Sequence, residues 1–158
     1  MFRPLLRKNK QISDRECIEL LTNEKRGVLS VNGDSGYPYG MPMNHFYNSE
    51  DKCIYFHCGK RGHRIDSLKK SSKASFCVFE EGVRCGDDWA YTVRSVVVFG
   101  KIEIIEDAKV ISDITAKLSR KFTSDEEYIQ KEIENYAKAT LLLKLSCEHI
   151  SGKTVKES

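Results

Sequence analysis

Apolar and polar positions along the chain mark out alternating segments that read as strands and three-to-four-residue repeats that read as helices. Ser13-Asp14-Arg15-Glu16 forms a capping box, and Cys17, Ile18, Leu20 and Leu21 give the helix it starts an apolar stripe ending near Lys25 to Gly27. Residues 28–31 read as a strand, and Asn32-Gly33-Asp34-Ser35-Gly36 is turn chemistry that returns the chain as a hairpin. In the strand that follows, Tyr37, Tyr39, Met41, Met43, His45 and Tyr47 share one face, and Pro38, Gly40, Pro42 and Asn44 share the other. One face is bulky and the other nearly bare. Two readings stand: a shallow slot for a planar ligand, or a surface on which another element packs closely.

After a turn at Asn48-Ser49-Glu50-Asp51, residues 52–58 form the partner strand, with Cys53, Tyr55 and His57 on one face and Ile54, Phe56 and Cys58 on the other. Gly59-Lys60-Arg61-Gly62-His63-Arg64 then opens a short helix carrying Ile65, Leu68, Lys69 and Lys70. Free N–H groups at a helix start, with cations beside them, suit a phosphate. A bare strand face beside such a loop suggests a nucleotide-like cofactor. On position alone His57, at the strand end, reads as a hydrogen-bonded structural residue.

Further on, residues 74–79 read as a strand, 80–88 as a polar loop and 91–105 as a long strand whose centre, Val96-Val97-Val98-Phe99, is apolar on both faces. Burial of both faces predicts a closed barrel covered by helices or a sheet that meets a partner subunit. Trp89 and Tyr91, before and at its start, read as core, interface or ligand-stacking residues, with interface or core favoured. Asp107 caps a helix with Val110, Ile111, Ile114 and Leu118 in a stripe that Phe122 extends. A second capping box, Ser124 to Glu127, starts a helix with Tyr128, Ile129, Ile133 and Tyr136. The last strand spans 140–147 and continues through His149 and Ile150 before a polar tail. Six or seven strands joined mostly by turns, with three or four helices, predict a mainly β (α+β) antiparallel barrel with helical additions rather than a doubly wound fold.

Length and charge narrow the picture. At 158 residues the chain suits one domain, at 13–153, with a solvated basic arm at 1–12 and a tail at 154–158. No apolar run approaches the ~20 residues of a membrane span. The start MFRPLLRKNK lacks the apolar region and cleavage site of a secretory signal, so a cytoplasmic protein is expected. The net charge of +3 is scattered, which points away from nucleic acid. Six cysteines, Cys17, Cys53, Cys58, Cys77, Cys85 and Cys147, include no C-x-x-C pair and read as reduced thiols. Cys53, His57, Cys58 and His63 could be set out as a metal site, but neighbouring strand positions point to opposite faces, so no metal is expected. No dinucleotide fingerprint, P-loop or H-E-x-x-H occurs. Gly59-Lys60-Arg61-Gly62 matches the GXXG clamp of KH domains, yet that clamp joins two helices and here a strand precedes it.

Four pieces in order carry a stronger likeness: Gly27-Val28-Leu29; Pro38-Tyr39-Gly40-Met41-Pro42-Met43-Asn44; Ile54-Tyr55-Phe56-His57-Cys58-Gly59 with Gly62-His63-Arg64-Ile65; and Arg94-Ser95-Val96-Val97-Val98-Phe99-Gly100. Together they resemble the FMN-binding split-barrel proteins related to pyridoxamine 5'-phosphate oxidase, and among them the nitroimidazole-resistance (Nim-like) branch. The resemblance implies a six-stranded split barrel that dimerises and holds FMN at the subunit interface. It implies that Met41, Pro42, Met43 and Asn44 run along the flavin ring largely through backbone, that His57, Cys58, Gly62, His63 and Arg64 surround the phosphate, and that Ser95 lies near the flavin. It gives His57 a catalytic or substrate-contacting role as well as the structural one. The function implied is electron transfer from NAD(P)H through FMN to a small oxidised substrate, a nitroaromatic such as a 5-nitroimidazole being one candidate. The alternative is a protein that stores or senses FMN or haem on the same scaffold. The oxidase proper has an arginine-rich C-terminal motif, which the ending LKLSCEHISGKTVKES lacks.

Overall fold

The first helix, α1 (Asp14–Asn23), begins as the capping box predicts: Ser13 Oγ accepts from the Glu16 N–H, and the Glu16 carboxylate accepts from the Ser13 N–H. In the computed structural model, which describes residues 1–84, 86, 87 and 89–157, α1 packs against a single antiparallel sheet. Its strands are β1 (Arg26–Asn32), β2 (Pro38–Asn44), β3 (Phe46–Asn48), β4 (Cys53–Gly59), β5 (Lys73–Phe79), β6 (Val83–Arg84), β7 (Tyr91–Ile105) and β8 (Thr140–Lys156). Three more helices are α2 (His63–Lys70), α3 (Ala108–Ser119) and α4 (Glu126–Tyr136). The sheet order is β2-β1-β5-β7-β8-β4-β3, with β6 paired on β7. Curled on itself, it forms a split barrel.

Alternation places Leu29, Ile54, Phe56, Phe76, Val96, Val98, Leu143 and Leu145 inside, each essentially without exposed surface. The opposite face of β4 packs under α3, where Cys53, Tyr55, Ile111, Ile114 and Leu142 make a second apolar cluster. The described cysteines are all free thiols; Cys85, like Asp88 and Ser158, lies outside the described residues. Among the described residues no helix is long and apolar enough to cross a membrane.

The continuous strand expected from Tyr37 to Tyr47 is instead broken at His45. β2 pairs with β1 as far as Asn44, and β3 leaves to pair with β4 from Phe46. The cause lies in the His45 side chain. Its ring is fully buried, its Nε2 lies 2.8 Å from the Leu21 carbonyl, and it meets Phe76 edge-on at 4.9 Å. Lys121 Nζ donates to the carbonyls of His45 and Glu24, fastening the end of α3 over the break. Joining β2 to β3 and setting aside the two-residue β6 reduces the eight strands to six.

Burial, with the Lys121 charge nearby, pushes His45 down to about 3, so the folded protein holds it neutral. The unfolded chain takes up that proton below about pH 6.5, and stability is therefore lost as pH falls from there, by up to about 1.4 kcal/mol per pH unit for this group. Urea midpoints at pH 7.0 and 5.5 should diverge in the wild type and converge in His45→Gln. An equal pH dependence in both would contradict this assignment.

Other departures are local. The helix α4 starts one residue later than the Ser124 box implies, because the Asp125 carboxylate accepts from the Tyr128 N–H. The polar tail after Ile150 is strand to Lys156 along β7. The loop 80–88 contains β6. Trp89 is 68% exposed and so is not core. The basic arm is mostly exposed, but Phe2 stacks on Phe99 and His149, and Gln11 bridges to Lys153.

Candidate functional site

β2 ends the sheet path, so one edge of its backbone has no strand partner. Met41 and Met43 point into the core and are buried, while Gly40 and Pro42 face outward and are exposed. Among the described residues no element covers that outward face, so the close-packing reading is not realised. What Met41 and Met43 can offer a ligand is backbone.

Beyond this edge lies the end of β4, and then the glycine-bracketed loop. Gly62 sits at φ +117°, a backbone state that L side chains rarely adopt, and a Cβ built on either Gly59 or Gly62 would meet nothing within 4 Å. α2 begins at once, and no side chain caps it. Its opening N–H groups therefore have no side-chain acceptor.

Arg64 ties these pieces together. Its Nη1 lies 2.7 Å from the Met43 sulfur, a weak acceptor, and its Nε is buried with no hydrogen-bond partner among the described residues. The guanidinium stands beside His57 and Cys58. Burial pushes the Cys58 thiol up, with Arg64 partly opposing; His57 keeps an exposed edge at the strand end, but partial desolvation by its neighbours, followed by the Arg64 charge, pushes it down from 6.5. At neutral pH the thiol is protonated and the imidazole uncharged. His63 is held elsewhere: its ring stacks on Tyr39 at 4.2 Å, and its Nε2 lies 3.3 Å from Asp34, which Lys70 also contacts.

Thus Met43, His57, Cys58, Gly62 and Arg64 converge at one mouth of the barrel, with Met41, Pro42 and Asn44 along the neighbouring edge and His63 on its flank. Ser95 does not join them. It lies on β7, three strands from β2, roughly 14 Å along the sheet at the usual strand spacing. A buried arginine N–H without an acceptor among the described residues, next to an uncapped helix start opened by two glycines, fits an oxyanion such as a cofactor phosphate. Among the described residues no group of three or more His, Cys, Asp or Glu side chains is placed to hold a metal.

The structure adds a feature that the strand pattern did not reveal. A cleft of about 550 Å³ opens between α3, α4 and the ends of β4 and β8, with Asn44, His57, Cys58 and Gly59 at one end. The apolar stripes of both helices supply much of its wall. That they part to leave a cavity follows from how α4 is set against α3, which periodicity does not encode.

A family model described as pyridoxamine 5'-phosphate oxidase matches residues 13–154. No curated protein matches the chain. Among solved structures, a candidate 5-nitroimidazole antibiotic resistance protein from Bacteroides thetaiotaomicron is similar at 19% identity and TM-score 0.76, covering 93% of this chain and 87% of its own. A FAD-binding protein from Mesorhizobium loti is similar at 22% identity and TM-score 0.66, with 92% and 97% covered. A FAD- and haem-binding protein from Mycobacterium smegmatis is similar at 21% identity and TM-score 0.70, with 94% and 74% covered. These likenesses show the fold; the match over residues 13–154 shows that the chain belongs to the pyridoxamine 5'-phosphate oxidase family.

Proposed function

We propose that this protein is an FMN-dependent oxidoreductase that takes electrons from NADH or NADPH and passes them to a small oxidised substrate, with a nitroaromatic as the leading candidate. The observation that carries the cofactor assignment is Arg64: a buried Nε with no hydrogen-bond partner among the described residues, beside the uncapped start of α2. Family membership supports the redox role, and similar structures described as FAD-binding, FAD- and haem-binding, or concerned with 5-nitroimidazole resistance support a flavin and the substrate class. FMN, when bound, would supply the electron-transfer chemistry.

The chain's own residues would do the rest. Arg64 and the opening N–H groups of α2 would hold the phosphate, with the open glycine positions giving it room. The free edge of β2 at Met41–Asn44 would offer backbone hydrogen bonds to the polar rim of the ring. Uncharged His57 can accept a proton at its unprotonated ring nitrogen and return it, without leaving a fixed charge beside Arg64.

We also propose a homodimer. On the outer face of the sheet, Val28, Cys77 and Val97 lie in one register row across β1, β5 and β7, with Phe99 beside them. Such a continuous apolar strip suits a second copy of the chain. In that dimer Ser95, remote from β2 in its own subunit, is available to the other subunit's site.

Purified protein should carry, or take up, flavin, and anaerobic addition of NADH or NADPH should bleach it. A protein that only stores the cofactor keeps it oxidised in that test. A colourless preparation that FMN cannot reconstitute would overturn the cofactor assignment.

A further inference from the structure

We infer that the cleft between α3 and α4 is a binding site for an uncharged aromatic molecule, separate from the phosphate cradle and opening onto His57. The site's identity as the substrate pocket rests on the flavin reading above; its capacity to bind such a molecule does not.

The walls set the ligand class. Ile111 and Leu118 from α3, Ile129 and Ile133 from α4, and Phe122 and Tyr136 flanking them make an apolar enclosure. Its volume, about 550 Å³, lies within the range of small-molecule sites and suits a one- or two-ring compound. The two polar groups placed to orient a ligand are neutral. One is His57 at the strand end. The other is Thr115 on the α3 wall, whose buried hydroxyl has no partner among the described residues. A threonine within a helix can bond the carbonyl four residues back; this hydroxyl has no such partner, and a small shift of the side chains that cover it would bring it to the cleft.

The lining opposes an anion. Among the described residues that form it, Glu132 on the α4 wall is the charged side chain, and no Lys or Arg is present. A neutral ring meets no such repulsion, and the desolvation cost of an anion would be unrecovered among these side chains.

The cleft and the cradle share His57, Cys58 and Gly59, with Asn44 at the strand edge, but diverge from there. The cradle runs through Gly62 to Arg64, and the cleft runs under the helices toward Tyr136. A molecule in the cleft therefore presents one end at His57, beside the edge of β2, and buries the other between α3 and α4. That arrangement suits a substrate whose polar, reacting end is small and whose body is apolar.

The test uses the full chain and two fluorescent probes with the same ring system, neutral N-phenyl-1-naphthylamine and its sulfonated relative 8-anilinonaphthalene-1-sulfonate. The neutral probe should bind the wild type at least about tenfold more tightly than the anionic one. Ser112→Trp and Ala137→Trp fill the cleft from opposite sides at half-buried positions. Each should weaken the neutral probe about tenfold or more while leaving FMN affinity unchanged, and thermal melts identify any variant that fails to fold. Thr115→Val, nearly isosteric, should weaken a ligand that accepts from the hydroxyl, such as 2-naphthaldehyde, but not naphthalene, which makes no hydrogen bond. Equal affinity for the two probes, or wild-type affinity in folded Trp variants, would overturn the inference. If the neutral probe behaves as expected while FMN does not bind, the cleft stands and the flavin reading falls. If FMN binds and the neutral probe does not, the reverse holds.

Discussion

Phe76→Ala should lower the free energy of unfolding by about 3–5 kcal/mol, the range for removing a fully buried aromatic side chain. Phe76 has no exposed surface and meets both Phe56 and His45 edge-on at 4.9 Å. Its loss would open a cavity at the point where the β2 and β3 segments part. A domain of this size has only about 5–15 kcal/mol of stability in total, so urea unfolding should show a large fall in the midpoint. Val83→Ala, a surface change on β6 at a residue 63% exposed, should stay within about 0.5 kcal/mol. Similar midpoints for the two variants would mean that the core is not organised around this ring.

The second large effect is on the cofactor. Arg64→Ala should weaken FMN binding by about 1–3 kcal/mol, the range for a hydrogen bond to a charged group, without a comparable loss of stability. The reason is in the side chain's present partners: a thioether sulfur, the Cys58 thiol and, at Nε, none among the described residues. Arg64→Lys should recover only part of the affinity, because an ammonium keeps the charge but not the planar fork. His63→Ala should do less, since its ring is engaged by Tyr39 and Asp34. Fluorescence titrations of the three variants check this order. Full affinity in Arg64→Ala together with loss in His63→Ala would move the phosphate to the flank of the helix.

Much of the fold was legible because its local signals agree with its tertiary packing. Ser13 and Asp107 cap where their side chains say they should, and Tyr91–Ile105 forms one strand over its full length. The break at His45 was not legible. Its residue type and alternation suit an uninterrupted strand, and the change of partner comes from long-range contacts to Leu21, Phe76 and Lys121. Nor was the length of β8. Its polar end is held by pairing to β7, and the register absorbs Glu148 as a bulge opposite the Phe99-Gly100 step, where a Cβ on Gly100 would stand 2.1 Å from the Ser146 carbonyl oxygen.

The candidate site divides in the same way. The strand-edge residues and the glycine-bracketed basic loop are sequential, so their gathering at one mouth of the barrel could be expected from the hairpin and the helix start. Ser95 carried no such local signal, and its separation from β2 depends on strand order. The cleft was hidden because Ile111, Leu118, Ile129 and Ile133 have the same stripe whether two helices close on each other or stand apart.

The proposal that this chain holds a flavin at Arg64 and α2 is tested most directly by titrating FMN into flavin-free protein and following quenching of the flavin fluorescence, with sedimentation of the same sample. Saturable binding of one FMN per chain on a two-chain species, weaker in Arg64→Ala, is the expected result. Unquenched flavin at every protein concentration, with the chain correctly folded, would contradict it.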